Sequence, residues 1–147
     1  MTVFDPKHLR LVGAIVMAGS AGTALPLYAH ADATVIVNAA NNASLDEEAI
    51  ASVFLGQSHS FPGGTEATPV NQKSDSAVAQ EFAAKVLKKN PSQLRAYWAK
   101  QVFTGGGKAP KELDGDDAVT KFVAANPGAI GYVEGGKLGP GVKAARK

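Results

Sequence analysis

The sequence predicts an α/β domain, on three observations. Short runs rich in β-branched residues alternate with longer segments whose apolar residues recur every three to four positions. The chain has 147 residues, enough for one hydrophobic core and too few to favour two. It contains no cysteine, so packing without disulfides must hold the fold.

Three segments read as strands: Thr34–Ala39 (TVIVNA), Ala67–Gln72 (ATPVNQ) and Ala129–Val133 (AIGYV). Four read as helices around this short sheet. The first follows the turn residues Asn41 to Ser44; Ser44 and Glu47 have the spacing of a capping box, and Gly56 is its stop. The second, Asp75–Lys89, carries Val78, Phe82 and Val86 on one stripe, with Ser74 or Asp75 as its cap, and Asn90-Pro91 breaks it. The third, Ser92–Phe103, places Leu94, Trp98 and Val102 on a common face, which predicts Trp98 in the core. The fourth, Asp114–Ala125, brings Val119, Phe122 and Val123 inward. The Gly- and Lys-rich tail from Gly135 is expected to fray.

Residues 1–33 stand apart from this pattern. Lys7 and Arg10 precede a mostly apolar run, Leu11–Leu27, and small residues follow at Ala29, Ala31 and Ala33. That order is the pattern of a cleavable export signal, with the cut expected after Ala31 or Ala33. The domain then spans 34–147, and the expected compartment is the bacterial periplasm. No cysteine follows the apolar run to carry a lipid.

From Thr34 onward 13 basic residues face 11 acidic ones, a balance too mild to predict a nucleic-acid partner. The charges read as mixed along the chain, the pattern of a solvated surface.

The stretch Phe103–Pro110 (FTGGGKAP) invites a nucleotide-binding reading. A phosphate-cradling loop requires G-x-x-x-x-G-K-[ST] between a strand and a helix. If Gly107-Lys108 is the GK pair, the first glycine falls on Val102, and Ala109 stands where the magnesium-binding hydroxyl belongs. The preceding segment is helical as well. The glycines read instead as a helix terminator, with Lys108 in solvent.

Two further segments carry a resemblance. Asn126–Val133 (NPGAIGYV) resembles the tPGAIGYv element of periplasmic phosphate-binding proteins, and Ile50–Gly56 (IASVFLG) resembles their IFLG-like element. Between them Pro69–Phe82 (PVNQKSDSAVAQEF) occupies the place of the segment that carries their phosphate site, and Trp98–Pro110 resembles short relatives. The resemblance implies one lobe of a type 2 periplasmic-binding-protein fold and a phosphate or small-anion receptor linked to ABC transport. It implies no enzyme activity and no cofactor.

In that family an arginine and a Ser-Gly-Thr at a helix start grip the anion, where free N–H groups and the helix dipole favour negative charge. Here the arginine position is Gln72, and Ser-Gly-Thr becomes Ser76-Ala77-Val78. Only the serine is kept. The candidate anion contacts are therefore Gln72, Ser74, Ser76, Ala77 and Val78, with Asn38 at the end of the first strand. Alternation aims Lys73 to the face opposite Gln72, and Asp75 repels an anion unless it only caps the helix. A chain of this size supplies half of a two-lobed site, so a homodimer or another periplasmic or membrane protein is the expected source of the rest. A lobe that has lost its ligand and serves interaction or sensing is the alternative.

The remaining candidates read as structural. His59 is the sole histidine after residue 33 and has no second ligand at metal spacing. The Asp114-Gly-Asp-Asp117 run lacks the order of a calcium loop and suits a helix start. Gly128 is expected at a positive φ, and Gly131 at a close approach, either helix on sheet or a ligand. Tyr132 is expected half-buried with a wet hydroxyl.

Overall fold

A computed structural model describes residues 32–145, so the expected export segment lies outside the described residues except for Asp32 and Ala33. Strands β1 (Ala33–Asn38), β2 (Thr68–Gln72), β3 (Lys111–Leu113), β4 (Ala129–Glu134) and β5 (Val142–Ala144) form one mixed sheet in the order β3-β2-β4-β1-β5. β1 runs antiparallel to β4 and β5; β2 runs parallel to β3 and β4. Helices α1 (Glu47–Phe54) and α2 (Ala77–Phe82) cover one face, α4 (Asp116–Ala125) covers the other, and α3 (Pro91–Phe103) lies to the side. Two of the strands, β3 and β5, were not expected. Lys-Glu-Leu has no apolar alternation, and Val142–Ala144 is ordered by its partner β1, so the predicted fraying of the tail is corrected there.

β4 is the centre of the sheet. Ile130 and Tyr132 face α1 and α2, while Ala129, Gly131 and Val133 face α4. Period-two alternation thus feeds two cores from one strand. On the first face Phe82 stacks on Tyr132 with centroids 4.1 Å apart, and Phe54 meets Phe82 edge-on at 4.6 Å. On the second, Val119 and Val123 of α4 close over Ile36, Val70 and Val133. A Cβ on Gly131 would lie 2.6 Å from Val119 and 3.1 Å from Val70, so helix packing, not a ligand, requires this glycine. Gly128 is also required by space rather than by φ: a Cβ there would lie 2.6 Å from the Glu66 carbonyl oxygen.

The helix caps shift several boundaries. Asp46, not Ser44, caps α1, because its carboxylate takes the Ala49 N–H at 2.7 Å. Ser76, not Ser74 or Asp75, caps α2 by accepting from Ala79 N–H at 3.2 Å. α2 passes into a π-helical turn over Ala83–Leu87 and ends at Lys88 in the left-handed region (φ 55°). Asn90, predicted only as a breaker, forms a full capping box with Gln93 for α3. α3 terminates at Phe103, and Gly105 follows at φ 76°, which bears out the terminator reading of the glycine loop.

α3 departs most from expectation. None of its residues is buried, and Val102 is 61 % exposed. Trp98 is not core; its ring lies over Gly56, where an added Cβ would be 3.4 Å away. The tether is Tyr97, whose hydroxyl donates to the Leu55 carbonyl at 2.6 Å.

Replacing Gly131 by alanine forces a methyl into the Val119 side chain, and overpacking of this kind costs roughly 1–3 kcal/mol. Denaturant unfolding of Gly131→Ala should show that loss, and the Gly131→Ala/Val119→Ala double variant should be less destabilised than the sum of the single changes. Simple additivity would mean that the contact does not set the cost.

Candidate functional site

The carboxyl end of β2 decides what the candidate residues can do. Val70 faces α4, so alternation turns Asn71 toward α2 and Gln72 toward α4. Gln72 is 4 % exposed, and both hydrogens of its amide are committed. Nε2 donates to Asp116 Oδ1 at 2.7 Å and to the Tyr132 carbonyl at 3.0 Å. Asp116 Oδ1 also accepts the Glu134 N–H at 3.1 Å, so one carboxylate oxygen joins the starts of three connections: α4, the end of β2 and the end of β4. The expectation that Gln72 offers its amide to an anion meets an amide whose two hydrogens are already held by Asp116 and the Tyr132 carbonyl.

Asn38 is likewise committed. Its Nδ2 donates to the carbonyls of Val123 (2.9 Å) and Ala124 (3.0 Å), and its Oδ1 accepts the Ala40 N–H at 2.9 Å. It caps the last turn of α4, across the sheet from α2.

Ser74, Ser76, Ala77 and Val78 stay together in the connection from β2 into α2. Ser76 N–H donates to the Lys73 carbonyl at 2.9 Å, which folds the connection into a turn. The N–H groups of Ala77 and Val78 are the first two of the helix, have no intrahelical acceptor, and point back along its axis. Lys73 is drawn off to Asp114 at 3.5 Å, an exposed pair that contributes little to stability.

A cleft of about 490 Å³ opens between α2, the π turn, α3 and the end of β2. Its floor is apolar: Phe82, Leu87, Leu94, Trp98 and the Tyr132 ring. Its polar rim includes Asn71, Ser74, Asp75, Arg95 and Glu112. Of the candidate contacts Gln72 and Ser74 line this cleft, and Ser76, Ala77 and Val78 do not. Sequence reasoning missed Asn71, Arg95 and Glu112. Alternation from a core-facing Val70 could have identified Asn71, whereas nothing in Lys-Glu-Leu announced the strand that brings Glu112 to the rim. A wider hollow of about 960 Å³ beside the start of α4 borders Asp114, Asp116 and Asp117 together with Lys121 and Lys137, so its lining carries both signs of charge.

Tyr132 departs from the expected wet hydroxyl. It is 1 % exposed; its hydroxyl accepts the Gln72 N–H at 3.1 Å and donates to Asn71 Oδ1 at 3.3 Å. Burial pushes its phenol up to about 12 and Glu112 adds to the rise, while the Gln72 N–H acts in the opposite sense.

No protein-family model and no curated protein matches the sequence. Solved structures do match. One is a protein assigned as a phosphate ABC transporter substrate-binding protein, with bound phosphate, from Clostridium perfringens (TM-score 0.59, 17 % identity, 76 % of this chain and 43 % of that one). Another is an ABC-type phosphate transport receptor from Vibrio cholerae (TM-score 0.58, 16 % identity, 76 % of this chain and 44 % of that one). The chain therefore has the fold of a single lobe of such proteins, and it spans less than half their length.

The raised phenol yields a pH prediction. Folded Tyr132 keeps its proton where an unfolded tyrosine, with a value near 10.0, has lost it. Unfolding between pH 10 and about 12 thus releases a proton, so stability is fully present below pH 10 and falls through that window. Chemical denaturation across this range should show a steeper decline for the wild type than for Tyr132→Phe, and equal slopes would remove Tyr132 as the cause.

Proposed function

We propose that this protein is an exported, single-lobe binding module of the phosphate-receptor type, which holds phosphate or a similar small anion at the start of α2. The observation that carries the reading is local: Ser76 caps α2 directly after β2, in the fold of proteins named for phosphate transport, and leaves the Ala77 and Val78 N–H groups without helical partners. Such groups, with the helix dipole, favour an anion. Ser74 and the Ser76 hydroxyl stand beside them.

The module contributes half a site. With Gln72 turned to Asp116, the arginine position itself supplies no charge, and Asp75 adds a repelling one. The anion is therefore held weakly and wet until a second body, a further copy of the chain or a periplasmic or membrane protein, closes over it. Export rests on the apolar segment Leu11–Leu27. Cleavage after Ala31 would keep Ala33, which pairs with Glu134 in β1. No enzymatic activity is proposed.

A second reading is favoured by one specific observation. The Gln72–Asp116 hydrogen bond removes the position that would bind the anion, as in a lobe that has exchanged ligand binding for protein contact or sensing.

Calorimetric titration with phosphate, and with sulfate as the control, separates the two. Saturable phosphate binding that Ser76→Ala weakens supports the anion site. Since loss of a serine cap alone costs about 1 kcal/mol, the variant's unfolding transition must be measured alongside. No heat at millimolar phosphate from a folded chain rejects the receptor reading and leaves the interaction module.

A further inference from the structure

The near-balance of charge over the whole chain conceals one segment. From Ala83 to Lys111 there are seven basic residues and no acidic one, so the mixed pattern read along the sequence fails here. α3 lies within this segment and has no buried residue. Lys85 and Lys88 are paired with acidic side chains, but among the described residues Lys100 and Lys108 have no acidic partner, and both are exposed. Between them stand the two most exposed large apolar side chains among the described residues, Phe103 at 91 % and Val102 at 61 %. Solvent exposure of a phenylalanine to this degree has no folding benefit.

We propose that the end of α3 and the loop 104–110 dock on an anionic lipid surface, with Phe103 and Val102 entering the headgroup layer and Lys100 and Lys108 lying against the lipid charges. Charge complementarity selects an acidic partner. It also opposes a second copy paired through this helix, because a two-fold contact would set one basic segment against another. The form of the apolar element selects lipid over an acidic protein. Val102 and Phe103 are consecutive on a helix and diverge by about 100°, so a rigid groove receives one of them while a fluid layer receives both. The glycines at 105 and 107 are both at positive φ, and the N–H groups of Gly105 and Gly106 donate back to the carbonyls of Val102 (3.3 Å) and Gln101 (2.8 Å), so the chain turns immediately after the tip. Nothing in this contact uses the α2 anion site, so it stands or falls separately from the proposed function.

The chain lacks cysteine, so Thr104→Cys in the full chain gives a single attachment point for an environment-sensitive NBD fluorophore at the tip. A local probe is needed because the apolar Leu11–Leu27 segment can bring the chain to any bilayer. With vesicles of phosphatidylglycerol and phosphatidylcholine the emission should shift to the blue, and with phosphatidylcholine alone it should not. High salt should reverse the shift. Lys100→Glu/Lys108→Glu should weaken the association by about fivefold or more for each lysine removed. Phe103→Ser should reduce the shift while leaving the fold intact, as circular dichroism would verify. The same label at exposed Glu66→Cys should not respond. An equal shift on neutral vesicles, an equal response at position 66, or a shift without vesicles would overturn the proposal. So would silence on acidic vesicles, in which case an acidic protein becomes the partner to seek.

Discussion

The fold depends on β4 being buried on both faces at once. Its Ile130 and Tyr132 complete the core beneath α1 and α2, and its Ala129, Gly131 and Val133 complete the core beneath α4. The two layers are not interchangeable. Tyr132 brings an aromatic ring to one side, where Phe54 and Phe82 surround it, while Gly131 withdraws all side-chain volume from the other so that Val119 can reach the backbone. A strand carrying bulk alternately on both faces would hold α4 farther from the sheet and open the second core. The NPGAIGYV segment is therefore a packing device, whatever the fold is used for.

Tyr132 also determines the end of β2. Its hydroxyl holds Asn71 and the Gln72 backbone, and its carbonyl takes the Gln72 amide. With Asp116 these groups form a buried polar knot that joins β2, β4 and α4. Buried polar groups of this kind are costly unless every member is satisfied, and here the donors named all find acceptors. The consequence for function is direct. A side chain held in the knot is not available to a solute, so the anion site proposed at the start of α2 rests on backbone N–H groups and serine hydroxyls. That arrangement favours negative charge without the strength of a guanidinium clamp.

The chain spans less than half the length of the solved structures whose fold it shares. Among the described residues the cleft is open, with an apolar floor of Phe82, Leu87, Leu94, Trp98 and the Tyr132 ring. α3 has no buried residue and reaches the body through Leu94 and Tyr97, which pack against the first core, and through Trp98 over Gly56.

The sequence by itself determined the α/β class, the three principal strands, the presence of four helices and the structural nature of the glycine loop. Each rests on local chemistry: β-branched runs, apolar periodicity, proline and glycine punctuation. Gly131 was legible as a close approach for the same reason, since only a missing side chain explains glycine inside a strand. Tertiary structure alone decided the rest. β3 and β5 exist because a neighbouring strand offers hydrogen bonds, not because Lys-Glu-Leu or Val-Lys-Ala prefers extension. Gln72 and Asn38 looked like anion donors, but their partners, Asp116 and the carbonyls of Val123 and Ala124, lie more than forty residues away in the chain. Trp98 and Tyr132 exchanged their expected environments because burial depends on which helix finds room against the sheet. Short-range pattern specifies a residue's local geometry; which face of the sheet it reaches, and what already occupies that face, is settled only when distant segments meet.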